Sequence, residues 1–172
     1  MRIILYMAMT TNGFIADKND DTSFVSQTEW RSFRAMIRRI GNMVVGHRTY
    51  AIMQRDGDLH GLESIRVIIL TRTGAFRSDY PRHTAARSPG TALRTLELEG
   101  FRNVLIAGGG ITNASFAKQK SIDELFLDIE PATIGDGIPL FRGSNFEMRL
   151  RLLGIKRLSR DRLQLHYRVV KK

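Results

Sequence analysis

The chain has 172 residues, 42% hydrophobic and 26% charged, with no cysteine and a formal net charge of +10. That balance excludes a disordered or fibrous chain, and the missing thiols exclude disulfides, thiolate metal sites and cysteine nucleophiles. The length fits a single domain over residues 1–172, and no run approaches the ~18 uncharged apolar residues that a membrane-spanning helix needs.

Residues 2–9 (RIILYMAM) form an apolar run closed by TTNG, which predicts a buried strand rather than a secretion signal. Trp30, Phe33, Ile37 and Ile40 recur at near-helical spacing and predict a helix over 27–40. NMVVG at 42–46 predicts a short strand, and His47 to Gln54 a short helix broken by Asp56-Gly57-Asp58. IRVIILT at 65–71 is a β-branched strand, whereas the chain around Pro81 and Pro89 reads as loop before a helix over roughly 90–99. NVLIA at 103–107 is another buried strand, and Gly108-Gly109-Gly110 opens a helix to about 119. Residues 122–130 predict a strand, 131–143 a Pro/Gly loop, and 145–156 with 162–170 a terminal hairpin. Strands that alternate with helices before a final pair predict an α/β fold, its sheet mostly parallel with an antiparallel C-terminal hairpin.

The strongest local signal is VLIAGGGITNASF at 104–116, a buried strand running through three glycines into a helix. Residues without Cβ let backbone N–H groups approach a phosphate, and a helix N-terminus adds its positive dipole end. A tight strand–helix turn, the plainer alternative, needs one glycine rather than three. The spacing is not the dinucleotide fingerprint GxGxxG, which would place glycine at Asn113. Two other strand ends carry complementary groups, Gly46-His47-Arg48-Thr49 and Leu70-Thr71-Arg72. In open parallel sheets ligands sit outside such carboxyl ends, and an arginine there can grip a phosphate in bidentate fashion.

The ordered set Ala8-Met9-Thr10-Thr11-Asn12-Gly13-Phe14-Ile15-Ala16, Val45-Gly46-His47-Arg48-Thr49-Tyr50, Leu70-Thr71-Arg72, Ala107-Gly108-Gly109-Gly110 and Asp123-Glu124-Leu125 through Pro131 to Gly135-Asp136-Gly137-Ile138-Pro139-Leu140-Phe141 resembles the dihydrofolate reductase superfamily. It is most similar to the branch holding the C-terminal reductase domain of the bifunctional riboflavin-biosynthesis deaminase–reductase and its stand-alone relatives. The resemblance implies a dihydrofolate reductase-like three-layer sandwich and an NADPH-dependent reductase. It implies that Gly46, Arg48 and Thr49 bind cofactor phosphates, and that Leu70, Thr71 and Arg72 cradle the adenosine side, Arg72 at the 2′-phosphate. By the same likeness Gly108, Gly109 and Gly110 accept the pyrophosphate, flanked by Ile111, Thr112 and Asn113. Ala8, Ile15 and Ala16 then lie near the nicotinamide.

Hydride addition leaves charge on a nitrogen or oxygen, so a proton source is needed. Glu29 stands where dihydrofolate reductases carry a helix carboxylate, with Phe33 four residues on as a substrate contact. Ser26-Gln27-Thr28-Glu29 equally fits a capping box, in which Glu29 only satisfies a backbone N–H, and that reading is slightly favoured. Asp128 is the second catalytic candidate, because its strand is otherwise apolar from Leu125 to Ile129 and an apolar strand seldom hides an unpaired carboxylate. Should the two carboxyls share a pocket, one holds a proton at neutral pH; alternation offers Asp128 a solvated face instead. Asn12-Gly13 departs from the Asp-Gly usual in the riboflavin branch, Asp17 falls in a surface loop, and the four histidines show no metal-ligand spacing.

The leading expectation is therefore a cytoplasmic NADPH-dependent reductase of a pterin or aminopyrimidine, with dihydrofolate and the phosphoribosylamino-uracil of riboflavin synthesis as rival substrates. The likeness implies a homodimer, and the lack of a long apolar run argues against a membrane partner. Residues 142–172 hold ten basic residues against two acids, +8 of the chain's +10, which raises a nucleic-acid-binding alternative. Only Phe146 and Tyr167 supply aromatics there, thin support for base stacking. A homologue that binds NADPH without turnover is the third reading.

Overall fold

The apolar run at the start of the chain becomes β1 (Arg2–Thr10), with Ile3 to Tyr6 all buried. Burial on both faces is usual for a strand between parallel neighbours, and β1 has two. The computed structural model describes residues 1–73, 76 and 78–171. After β1 the chain forms β2 (Phe14–Asp17), α1 (Gln27–Ile40), β3 (Asn42–Gly46), α2 (His47–Arg55), β4 (Arg66–Leu70) and β5 (His83–Ala86). It continues with α3 (Pro89–Leu98), β6 (Asn103–Ile106), α4 (Gly110–Lys118), β7 (Glu124–Glu130), β8 (Gly137–Pro139), β9 (Arg149–Arg157) and β10 (Leu163–Val170).

Eight strands form one sheet in the order β5-β4-β3-β6-β1-β7-β10-β9, and β2 pairs with β8 in a small second sheet. β1 runs parallel to both β6 and β7. The hairpin expected from the sequence closes one side, with β10 antiparallel to β7 and to β9. Helices α1 and α2 cover one face over Tyr6, Phe33, Ile37, Met43, Tyr50 and Ile69. The other face is packed around Leu5, Val44, Leu96, Ile106 and Phe116. Each fully buried side chain of this size contributes about 1.5–3 kcal/mol. The result is the three-layer arrangement of a mostly parallel sheet expected from the sequence.

Local chemistry accounts for the helix ends. The Ser26 hydroxyl caps α1 by accepting from Glu29 N, and Gly41 closes it at φ +81° with its N–H on the Ile37 carbonyl. Ser88 caps α3 ahead of Pro89, a proline position that sacrifices no helical hydrogen bond. By contrast α2 and α4 begin at Gly46 and Gly109, with no side-chain cap on either.

Four strands depart from the sequence expectations, the first being β2, which ends on Asp17, a residue read as part of a surface loop. The stretch between Pro81 and Pro89, read as loop, contains β5, in parallel register with β4 from Val67↔His83 to Leu70↔Ala86. Its four residues are too few to show a period; the open side of β4 supplies the partner. Within the Pro/Gly loop, β8 pairs with β2 because Gly137 lacks a side chain: a Cβ there would lie 2.4 Å from the Ala16 carbonyl oxygen. β9 begins at Arg149 rather than 145, and all nine of its residues are exposed. Among the described residues no helix is long and apolar enough to cross a membrane.

Candidate active site

Adjacent strands bring the distant motifs to one edge. β3 lies between β4 and β6, with Gly46 opposite Leu70 and Val44 opposite Ile106. The segment after β6 bends toward β3, and Gly46 N–H donates to the Gly108 carbonyl at 2.8 Å. The starts of α2 and α4 thus stand side by side. First-turn N–H groups of a helix have no intrahelical acceptor, and neither helix supplies a side chain to take their place.

The three glycines do different things. Gly108 is buried with φ +89°, the left-handed region that disfavours a side chain. Gly109 is half-buried, and a Cβ on it would come within 2.9 Å of Thr49 Oγ1. Gly110 is buried beneath β8, where a Cβ would sit 2.5 Å from the Pro139 carbonyl oxygen. The third glycine therefore admits the segment after β8, whose Arg142 N–H reaches the Gly110 carbonyl at 3.0 Å. Gly46 is tight as well, a Cβ there meeting Thr112 Oγ1 at 2.5 Å. A ledge of close backbone with two uncapped dipole ends fits the phosphates of a dinucleotide.

The flanking residues divide. Ile111 is 69% exposed, whereas Thr112 is buried against Gly46 and Asn113 is fully buried. Asn113 Nδ2 donates to the Leu140 carbonyl at 2.8 Å, so that side chain fastens the segment after β8 and lines no open surface. Arg48 is exposed and ion-paired with Asp20, its Nε donating at 2.7 Å. Thr71 Oγ1 is 3.2 Å from Thr73 Oγ1, and Arg72 is exposed just beyond β4.

Beside this ledge opens a pocket of about 110 Å³ whose wall includes Tyr6, Ala8, Ile15, Glu29, Phe33 and Thr49. Trp30 and Phe33 meet edge-on at 5.6 Å, and Phe33 packs on Tyr6 at 5.4 Å. Ala16, grouped with Ala8 and Ile15 in the sequence, is not part of that wall and lies under β8 instead. Asn12 is exposed and ties the loop after β7, Nδ2 donating to the Ile134 carbonyl at 2.8 Å.

Glu29 projects into this pocket at 4% exposure, and among the described residues nothing hydrogen-bonds its carboxyl. Burial pushes it up to about 8, helped by the negative charges of Asp128 and Glu130. The capping-box expectation is corrected here. Ser26 Oγ does accept from Glu29 N at 3.2 Å, but the reciprocal partner of Ser26 N is Glu130 Oε1 at 3.0 Å.

Asp128 is 1% exposed and does not reach the pocket wall. It accepts from the Tyr6 hydroxyl at 2.5 Å and from Gln164 Nε2 at 2.8 Å, and Ser32 Oγ lies 2.9 Å from the same hydroxyl. Burial raises its pKa, against the pull of those two hydrogen bonds. Tyr6 is raised too, by burial first and the Asp128 charge second. The solvated face that alternation offered Asp128 is thus excluded, and its contact with the pocket runs through Tyr6. Tyr6, Ser32, Glu130 and Gln164 were invisible as site residues, because only strand register and the packing of α1 bring them together; the lone acid in an apolar strand was the available signal.

Elsewhere the tail's aromatics are engaged, Phe146 against Phe141 at 4.9 Å and Tyr167 against the core. Arg162 pairs with Glu130 at 2.6 Å and Lys171 with Asp123, so part of the basic excess is answered internally. His83 is buried on Tyr50 at 2.8 Å, and among the described residues no cluster of three or more His, Asp or Glu side chains is placed to hold a metal ion.

A family model, the RibD C-terminal domain, matches residues 1–163. The chain is 26% identical over 171 residues to the uncharacterised protein YwjB of Bacillus subtilis (strain 168), covering 96% of this chain and 97% of that one. It superposes with a TM-score of 0.83 on a candidate riboflavin-biosynthesis protein from Shewanella sp. PV-4, at 22% identity and over 99% and 100% of the two chains. A further match is the diaminohydroxyphosphoribosylaminopyrimidine deaminase/5-amino-6-(5-phosphoribosylamino)uracil reductase of Thermotoga maritima, with a TM-score of 0.73 and 18% identity. It covers 98% of this chain but 56% of that one. At these identities the two solved structures show a common fold.

Proposed function

The chain belongs to the RibD C-terminal domain family, and from that membership we propose that it is an oxidoreductase, an NADPH-dependent reductase of a pterin or aminopyrimidine ring. One observation carries the reading: the glycine ledge and the apolar pocket meet at Thr49, which crowds Gly109 and also lines the pocket over Glu29. A dinucleotide on the ledge therefore has its reactive end beside whatever the pocket holds.

In this reading the starts of α2 and α4, with Arg48 and Thr49, hold the phosphates, and Leu70, Thr71 and Arg72 take the adenosine side. NADPH supplies the hydride when bound. Ala8 and Ile15 close the reaction space, Phe33 packs on the acceptor ring, and the apolar wall excludes water from it. Glu29 keeps its proton at neutral pH, when an ordinary glutamate has lost it, and is the group in the pocket that supplies one to the reduced ring. Asp128 acts as a positioning residue that fixes the Tyr6 ring in the pocket floor.

Among the described residues of the pocket wall are two carboxyls, Glu29 and Asp58, and no basic side chain. This favours a ring without a phosphate, of the dihydropterin kind. The phosphoribosylamino-uracil is the second reading, favoured by the family itself. Side-by-side assays of NADPH oxidation with dihydrofolate and with the phosphoribosylamino compound test both, and turnover of neither would remove the reductase reading. We further propose that residues 1–172 act as one domain and pair as a homodimer through the apolar side chains of β9, where Leu152 and Ile155 are exposed. Ultracentrifugation should give a dimer that Ile155→Lys dissociates.

A further inference from the structure

Two carboxylates in this chain can take the backbone N–H of Ser26. In the box S-x-x-E the fourth residue does so, and Glu29 occupies that place. The N–H goes instead to Glu130, 104 residues away at the end of β7. Glu130 is 1% exposed. Its Oε1 accepts from Ser26 N at 3.0 Å and from Ser26 Oγ at 2.7 Å, while its Oε2 accepts from Arg162 Nε at 2.6 Å. Every oxygen of Glu130 is thus held, and Arg162 comes from the turn between β9 and β10.

We propose that Glu130, anchored by Arg162, is a positioning residue that occupies the cap of α1 and thereby keeps the Glu29 carboxyl in the pocket. Local geometry favours a return of Glu29 onto its own cap, three residues back. Glu130 blocks that return by already holding the Ser26 N–H it would need. The C-terminal hairpin in this way acts on Glu29 through Arg162, without contacting the Glu29 carboxyl. The inference rests on the reading that Glu29 serves the bound ring.

The groups that face Glu29 are Tyr6 from β1, Asp128 and Glu130 from β7, and Asp58 from the pocket wall after α2; Arg162 stands behind Glu130, and Lys156 acts on Asp128. Removing the carboxylate at 130 has two effects of the same sign. It takes away a negative charge, and it frees a cap N–H that holds Glu29 in its ionised form. Both lower the pH at which Glu29 loses its proton.

The test is a titration of the full-length chain carrying carbon-13-labelled glutamate carboxyls, with the Glu29 resonance assigned by its loss in Glu29→Gln. In the unaltered chain burial is expected to place the Glu29 titration at about 8. In Glu130→Ala it is expected to fall toward the ordinary carboxylate range, and NADPH oxidation to slow by about tenfold or more with coenzyme affinity unchanged. Glu130→Gln keeps an acceptor for Ser26 without the charge, so it should lower the Glu29 titration less and restore much of the rate. A Glu29 titration that stays in place in Glu130→Ala overturns the proposal. If that variant does not fold, Glu130→Gln decides, since an unmoved titration there is equally fatal. Should no substrate be reduced by the unaltered chain, the reductase reading fails while the titration still judges the clamp.

Discussion

The Tyr6 hydroxyl donates a 2.5 Å hydrogen bond to Asp128 Oδ2, joining the strand that floors the pocket to its parallel neighbour. Gln164 Nε2, from the reversed strand beyond, reaches Asp128 Oδ1 at 2.8 Å and the Tyr6 oxygen at 3.2 Å. A carboxylate at 1% exposure is held by donors from two different strands.

Tyr6→Phe removes one of those donors and little volume. A buried acceptor left short of a partner costs about 1–3 kcal/mol. Urea denaturation should register a loss of that order, and Tyr6→Phe with Asp128→Asn should lose less than the two changes summed. Strict additivity would show that the pair is not coupled.

Glu29 makes stability depend on pH. Its folded value of about 8 lies above the ordinary 4.5, so the folded chain binds the proton more tightly than the unfolded one. The stability that Glu29 contributes is therefore full below the ordinary carboxylate range and is lost as pH rises from there through about 8. Thermal denaturation of Glu29→Gln should be flatter over that window and should exceed the unaltered chain in stability above it. Parallel curves for the two would contradict the buried, unpartnered carboxyl.

On the ledge, Gly109→Ala places a methyl where Thr49 Oγ1 is only 2.9 Å away. Overpacking of this kind costs about 1–3 kcal/mol; if the N–H groups give way by a similar amount, coenzyme affinity should fall about fivefold or more. Adding Thr49→Ala should relieve the crowding and recover part of the loss. Fluorescence titration with NADPH measures both, and full affinity in the single variant would move the phosphates off this ledge.

Arg72 is exposed beyond β4 on the proposed adenosine side. Arg72→Ala should weaken NADPH binding far more than NADH binding, because only the former carries the 2′-phosphate. Equal losses in the two titrations would remove Arg72 from that contact.

What the sequence disclosed was decided by range. The helix from Gln27 to Ile40 was legible to the residue, because Ser26, Gly41 and the apolar spacing between them are all local. The three glycines pointed to the right turn, but not to Gly110 serving the Pro139 segment, a contact that only folding creates. Four residues of β5 are too few to show a period. Of the two readings open for Glu29, the capping box fails for the same reason: the carboxylate that takes the Ser26 N–H is Glu130, 104 positions away, and no local pattern shows it.

The outer strand β9 mixes four guanidinium and ammonium side chains, Arg149, Arg151, Lys156 and Arg157, with three leucines and an isoleucine, every residue of it exposed. Two copies meeting there bring like charges together, so dissolved ions that mask repulsion should tighten self-association. A polyanion on the same strand would respond in the opposite sense, loosening as salt is added. The sign of the ionic-strength response thus tells a self-complementary edge from a nucleic-acid surface.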